Sequence, residues 1–330
     1  MKQVVDTDLS KKETIFFEEV NCDFCGKAPH RKIFSLKDNL TNYKENLNLV
    51  ECLNCSLVYI NPRPTEQSLS LFYPNNFLSY QFVKTENVTF WNIRDRLVNF
   101  IIDKISDQRI SFLKKRLKAL NEIKLTDFGC GKGYFLKKLK EKSFFTVSGF
   151  DFDKESVDFC NRQGLDVSQS TIKSIKSSLS FDVVTMWHFL EHTLSPLEAI
   201  RKAKDVLVPN GIVIIVVPNW NSLENRLFGK KSFLLDPPRH LFHFSEQTLC
   251  NTLKNEGFEI IQSDCCSGEG GWLGSFEWIF FKGRLLKKFR NSVYLILLIS
   301  ILVFPLDLLT ALTRRGSILR IVARKKSNFL

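Results

Sequence analysis

Short apolar runs alternate with amphipathic segments from Ile123 to Cys266. Runs of four to eight apolar residues between turn signals predict buried strands, and apolar spacing of three and four predicts helices. Strands are predicted at Lys124–Phe128, Thr146–Asp151, Phe181–Met186, Gly211–Val217 and Phe258–Asp264. Helices are predicted between them at Tyr134–Lys142, Glu155–Gln163, Pro196–Val206 and Ser245–Glu256. Pro209-Asn210-Gly211 reads as a turn that starts a strand, and Gly257 as a helix C-cap. Regular alternation of this kind predicts an α/β fold with a doubly wound parallel sheet. Around it the chain divides by composition into an extension (1–19), a cysteine-bearing unit (20–64), a mostly helical linker (65–121), the α/β core (122–266), an apolar insertion (267–316) and a closing strand with tail (317–330).

The sharpest local feature is Asp127-Phe128-Gly129-Cys130-Gly131-Lys132-Gly133, directly after a predicted strand and opening a helix. Glycines let the chain turn sharply and bring backbone against a ligand, while the helix start offers free N–H groups. Asp127 can accept from a ligand ammonium. Asp151 closes the next strand, where a carboxylate can accept both ribose hydroxyls. Strand, loop, helix, strand and acid in register point to a nucleoside-type site rather than a structural turn. A dinucleotide site spaces its glycines as Gly-x-Gly-x-x-Gly and offers a helix dipole to a pyrophosphate. Here an acid precedes Gly-x-Gly-x-Gly, which suits a cationic amino acid and not a pyrophosphate.

At these residues the chain resembles class I S-adenosylmethionine-dependent methyltransferases. Further matches are Phe181-Asp182-Val183-Val184, Trp187-His188-Phe189-Leu190-Glu191-His192, Leu207-Val208-Pro209-Asn210-Gly211, Pro218-Asn219, His240-Leu241-Phe242-His243-Phe244-Ser245 and Glu256-Gly257-Phe258. The Leu-Glu-His element looks like the branch of ubiquinone-pathway and cell-surface-polysaccharide methyltransferases. Asn210 stands where that family usually has Gly. The resemblance implies that Gly129, Gly131 and Gly133 shape the S-adenosylmethionine loop, that Asp127 faces its methionine end and Asp151 its ribose, and that His188 lines the pocket near the sulfonium. It marks the adenine contact poorly; the stretch 166–171 is the guess. It also implies a Rossmann-like sheet whose last strand is antiparallel, which only Ser317–Ala323 can supply.

Methyl transfer needs a base only where the acceptor loses a proton. His240, after the fifth strand and over the carboxyl edge of the sheet, is the preferred base; His192 is weighed evenly between a catalytic and a structural role. His243, in an apolar context, reads as a satisfied core histidine. Asp236-Pro237-Pro238-Arg239 is similar to the Pro-Pro signature of amino-group methyltransferases, yet it lies after the fifth strand and ends in Arg, so base N-methylation is not indicated.

Cys22-x-x-Cys25 and Cys52-x-x-Cys55 are two knuckles 26 residues apart. Four thiolates so spaced can close a tetrahedral structural zinc site. The unit resembles the N-terminal zinc ribbon of bacterial sugar methyltransferases, including the Asn61-Pro62-Arg63-Pro64 and Phe72-Tyr73-Pro74 that follow it. The chain carries a net charge of +12, of which the segment 282–330 supplies +10, and the ribbon is near neutral. A general nucleic-acid surface is therefore not expected. No secretory signal is visible, which predicts a cytoplasmic address.

The run Ser292–Leu312 is long and apolar enough to suggest a membrane span, with Lys287, Lys288, Arg290, Arg314 and Arg315 on its flanks. A strand returning to the sheet after it excludes a single crossing. The expectation is a re-entrant or in-plane contact through 272–315 with the anionic inner leaflet, Trp272, Phe276, Trp278, Phe280 and Phe281 lying at headgroup level. The combined expectation is a methyltransferase acting on a hydroxyl or carbon of a saccharide, lipid-linked in the sharper form. A quinone-type O-methyltransferase, a ribosomal-RNA methyltransferase and a catalytically silent scaffold are the alternatives.

Overall fold

The computed structural model describes residues 2–8, 11–38, 41, 43–73, 93–117, 122–142, 144–266, 272, 274–276, 305–306, 309–310 and 312–327. Antiparallel pairing dominates the first 64 residues. Strands β1 (Lys2–Asp8), β2 (Lys11–Glu18), β3 (His30–Leu36), β4 (Leu47–Cys52), β5 (Val58–Ile60) and β6 (Arg63–Pro64) follow in turn, then the short helix α1 (Glu66–Leu69). β1 and β2 form a hairpin, and β2 sets Phe17 opposite Pro64 and Glu18 opposite Arg63. The segment expected as an extension thus forms two strands, the second paired with the end of the cysteine-bearing unit.

Helix α2 (Ile93–Lys114) leads into the core: β7 (Ile123–Phe128), α3 (Tyr134–Lys140), β8 (Phe145–Asp151), α4 (Lys154–Arg162), β9 (Asp166–Gln169), β10 (Phe181–Trp187), α5 (Pro196–Val206), β11 (Leu207–Pro218), α6 (Leu223–Phe228), β12 (Phe242–His243), α7 (Glu246–Asn255), β13 (Phe258–Cys266) and β14 (Ile318–Lys325). Seven of these strands form one sheet in the order β13-β14-β11-β10-β7-β8-β9. The strands from β7 to β11 pair in parallel, and β14 is antiparallel to both β11 and β13. The expected α/β class and the closing strand are both present. β9 escapes the apolar pattern because only Val167 of its four residues is buried.

Side chains alternate between two layers, as strand geometry requires. Val184, Met186, Val213, Ile215 and Val217 face one layer with Ala199, Ile200 and Leu249; Val183, Trp187, Ile214 and Val216 face the other with Leu113, Phe135 and Leu139. With both faces covered, the strands read as continuous apolar runs. Helix starts are fixed by side-chain caps: Asp153, Ser195, Ser222 and Ser245 each accept from an amide three residues on.

The cysteine module is sewn into this core. β12 pairs with β5, and Cys22, Val50, Cys52, Leu57 and Tyr59 share the first layer's apolar cluster. Arg239, fully buried, is the bolt. Its Nη2 donates to Asp38 Oδ1 at 2.9 Å and to Asp236 Oδ1 at 2.7 Å, and its Nη1 donates to the Phe72 carbonyl at 3.0 Å. The Asp-Pro-Pro-Arg stretch is therefore an inter-module anchor.

Trp272 is only 2 % exposed and packs edge-on against Phe228, with Phe276 beside it. That corrects the expected headgroup position of Trp272: the indole is buried by α6. Trp278, Phe280, Phe281 and 292–304 lie outside the described residues. Among the described residues no helix is long and apolar enough to cross a membrane.

Candidate active site

The glycine loop leaves the carboxyl end of β7 and starts α3. The Gly129 and Cys130 amides donate to the Phe150 carbonyl at 2.8 and 3.2 Å, which folds the loop back over β8. Gly129 sits at φ +76 and a Cβ on it would lie 2.3 Å from the Phe189 ring; Gly133 sits at φ +68 and a Cβ would meet Cys160 Sγ and Leu165 Cδ1 at 2.7 Å. No other residue fits either position without moving its neighbours. Gly131 donates its amide to Asp151 Oδ2 at 2.7 Å, and Asp153 donates to Oδ1 at 2.9 Å. Asp127, Gly129, Gly131, Gly133 and Asp151 are thus brought into one cradle at the sheet edge.

Asp127 lies one strand from Thr185, whose hydroxyl donates to Oδ1 at 2.6 Å. Burial pushes its carboxyl up to about 7, against the pull of Thr185 and the Arg109 guanidinium. Burial also raises Asp151, despite the amides it accepts. Two residues that the sequence reading missed flank the cradle. Arg109 of α2 stacks 4.7 Å over the Trp187 ring, close to Asp127. Phe152, next to Asp151, is 59 % exposed beside Gln169, whose Nε2 donates to the Phe152 carbonyl. Nothing in the sequence marks either residue; only the fold sets an exposed ring beside Asp151.

Across the same edge, His188 follows the last residue of β10, held at φ +50 with its amide on the Val216 carbonyl. His188 Nδ1 lies 3.3 Å from Glu191 Oε1. Burial would raise Glu191, but the His188 hydrogen bond and the neighbouring imidazoles outweigh it and lower the carboxyl. His192 closes the short 3-10 turn Leu190–His192, and its Nδ1 is 3.0 Å from the Arg239 carbonyl. His240 places Nδ1 2.8 Å from the Leu234 carbonyl. A carbonyl only accepts, so each neutral ring carries its proton at Nδ1 and presents Nε2 as a lone pair. Burial, then His240, lowers His192 to about 4, which keeps it neutral at physiological pH. The rings stand 4.7 Å apart, and one oxygen or nitrogen from each of Glu191, His192 and His240 falls within 4.8 Å of the others.

His243 is buried, and burial lowers it to about 3. Its Nε2 has no hydrogen-bond partner, so the expectation of a satisfied core histidine is corrected. The ring sits on a two-residue strand between Trp220 and His240, where nearby contacts are aromatic.

The four knuckle thiols also converge. Cys22 and Cys55 sulfurs are 3.4 Å apart, Cys25 and Cys52 sulfurs 3.5 Å, and all four lie within 4.8 Å of one another. Sulfurs about 2.3 Å from one zinc ion in a tetrahedron stand only slightly farther apart, so this donor set fits the metal. The short Cys22–Cys55 contact draws the Cys55 thiol down and, with burial, pushes Cys22 up, as two close sulfurs sharing one proton do.

The family described as "Methyltransferase domain" matches residues 97–263, half of the chain. The ubiquinone biosynthesis O-methyltransferase of Vibrio parahaemolyticus is 28 % identical over 136 residues, covering 39 % of this chain and 57 % of that one. Its counterpart in Actinobacillus pleuropneumoniae is 28 % identical over 123 residues, covering 34 % and 52 %. The chain thus spans little more than half the length of these relatives. A solved S-adenosylmethionine-dependent methyltransferase from Archaeoglobus fulgidus is 20 % identical, with 67 % of this chain and 94 % of that one covered and a TM-score of 0.44. With the seven-stranded sheet, its antiparallel closing strand and a match over half its length, the chain belongs to the class I methyltransferase-domain family.

Proposed function

We propose that this protein transfers the methyl group of S-adenosylmethionine to a hydroxyl or carbon of a saccharide, lipid-linked in its physiological form, at the cytoplasmic face of a membrane. The observation that carries the reading is the adjacent pair His192 and His240, whose rings stand 4.7 Å apart, each with Nδ1 within hydrogen-bond distance of a backbone carbonyl. When bound, S-adenosylmethionine supplies an electrophilic methyl on a sulfonium. Asp127 and Arg109 suit the two charged ends of its amino acid, Asp151 the ribose hydroxyls, and Phe152 with 166–171 the purine. His240 Nε2 would take the acceptor proton while the donor's methyl–sulfur bond is exchanged for one to the acceptor oxygen or carbon, leaving a neutral thioether, and His192, neutral beside it, would not repel the imidazolium that results. The four cysteines hold a structural zinc.

Incubation with methyl-labelled donor, followed by separation into lipid, aqueous saccharide and RNA fractions, tests this. Label is expected in a saccharide, free or lipid-bound. His240→Asn, which retains the nitrogen facing Leu234, is expected to lower turnover about 10²–10⁴-fold with donor affinity unchanged. Label only in RNA, or full turnover in the variant, overturns the reading. The ubiquinone-pathway relatives support a quinone phenol as the second acceptor class, and label in the quinone band of the lipid fraction would select it.

Peripheral contact through part of 272–315 is the companion proposal. It is supported by exposed Leu309 and Leu312 next to exposed Arg314 and Arg315. Sedimentation with phosphatidylglycerol vesicles at low salt, and less with phosphatidylcholine, is expected; protein left in the supernatant with both at every salt concentration removes it.

A further inference from the structure

We infer that the N-terminal cysteine module is the positioning device for the loop Leu190–Leu197, which carries His192 beside the base His240, with Tyr73, Arg63 and Asp23 acting through that loop and not on the acceptor. The catalytic meaning of this placement rests on the function proposed above; the placement itself does not.

Two side chains of the module, Asp23 and Arg63, and Tyr73 just after it grip the loop at successive points. Tyr73 Oη lies 3.0 Å from His192 Nδ1, on the nitrogen that already faces the Arg239 carbonyl. Since that carbonyl fixes the proton on Nδ1, the tyrosine oxygen is a second acceptor for the same N–H, and the two together hold the ring plane. Arg63 donates to the Leu194 carbonyl. Asp23 accepts from Ser195 Oγ and from the Leu197 amide, both at 2.7 Å, at the start of α5. Asp23 stands between Cys22 and Cys25, so closure of the thiol site decides where this carboxylate points.

The other histidine is tied to the same frame through backbone. Ile60 donates its amide to the Leu241 carbonyl at 2.9 Å, and Leu241 donates to the Glu191 carbonyl at 2.8 Å. Arg239 clamps the Phe72 carbonyl one residue before Tyr73 and the Asp38 carboxylate. The two imidazoles are therefore placed relative to one another by contacts that cross between modules. The glycine cradle takes its hydrogen bonds from β8 and Thr185 instead. Among the described residues the module's hydrogen bonds thus reach the histidine-bearing loops and not the glycine cradle, and a displacement of about 1 Å at such a site costs on the order of 10²-fold in rate.

The test uses the full chain with ring-¹⁵N-labelled histidine, five residues in all, comparing wild type, Tyr73→Phe, Asp23→Ala and protein stripped of zinc by a chelator. Wild type is expected to show His192 as a single Nδ1–H tautomer. In Tyr73→Phe, which keeps the packing and deletes only the oxygen, and in the stripped protein, the His192 Nδ1–H resonance is expected to shift and broaden as the ring loses its second acceptor, while the Arg239 carbonyl keeps the tautomer. Donor affinity should stay within twofold, and methyl transfer should fall at least tenfold. An unchanged His192 signal in Tyr73→Phe and in stripped protein overturns the inference, as does a donor affinity that falls in step with transfer in Tyr73→Phe. Should stripping unfold the chain, the Tyr73→Phe comparison decides alone. A wild type that transfers no label to any acceptor fraction, while His192 still responds to Tyr73→Phe, would sink the proposed function and leave this placement standing.

Discussion

Asp151→Ala is expected to weaken S-adenosylmethionine binding about 10²-fold or more. A carboxylate that accepts two ribose hydroxyls makes two charge-assisted hydrogen bonds, each contributing about 1.5–3 kcal/mol, and about 1.4 kcal/mol is a factor of ten. The alanine also removes the acceptor for the Gly131 and Asp153 amides, so the loop itself loosens. Calorimetric titration checks this, and a loss under threefold removes Asp151 from the ribose site. The same titration across pH examines Asp127. Burial holds its carboxyl up at about 7, and a cationic ligand binds the ionised form. Affinity should therefore be full above that value and fall by up to about tenfold per pH unit below it. A flat profile from pH 6 to 8 would separate Asp127 from the ligand ammonium.

Arg239→Met is expected to destabilise the fold by about 3–5 kcal/mol, because it leaves the Asp38 and Asp236 carboxylates in the interior without their cation. Urea unfolding measures this. The double variant Arg239→Met with Asp38→Leu should recover part of the loss, since an apolar pair avoids the orphaned charge. Acid dependence gives a second signature. Burial would raise Asp236, but the charge and hydrogen bonds of Arg239 outweigh it and hold the carboxyl low. A depressed folded pKa contributes stability above the ordinary carboxylate range and loses it as pH falls through the folded value. Wild type should shed this increment in acid, and the methionine variant should lack it already. Equal stability of the two proteins at neutral pH would mean that Arg239 is no anchor.

Much of the core was legible in the chain. The strand–helix alternation was readable because it is set by spacing within each segment; Pro209-Asn210-Gly211, read as a turn that starts the strand, falls inside β11, where the register with β10 shifts between Leu207 and Ile212. Asn210 shows how far that reaches. It takes the left-handed conformation at φ +63 that glycine favours, which asparagine tolerates better than most residues. The closing strand was legible for a different reason: the resemblance demanded an antiparallel partner for β11, and one apolar run was available to fill the place. β9 was not legible, since an edge strand with one buried residue has no apolar run to report.

The candidate site divides the same way. Asp127, the three glycines and Asp151 sit on one strand–loop–helix–strand unit, so their order in sequence is their order in space. Phe152, Arg109 and Tyr73 carry no such signal. An exposed phenylalanine, a stacked arginine and a tyrosine in a turn are ordinary residues until another element arrives beside them. The burial of Trp272 was invisible for the same reason, because an amphipathic aromatic reads alike at a lipid surface and under a helix.

The sequence by itself determined the α/β class, the glycine loop with its flanking acids and the two Cys-x-x-Cys knuckles, all of which are written in short-range spacing. Tertiary structure alone decided that the cysteine module faces the histidines, that Arg239 bolts the modules together, and which nitrogen of His192 and His240 is held. Tyr73 and His192 are 119 residues apart, and Arg239 and Asp38 are 201 apart. Over such separations no local period constrains one residue by the identity of the other, and only the packed chain brings their atoms into reach.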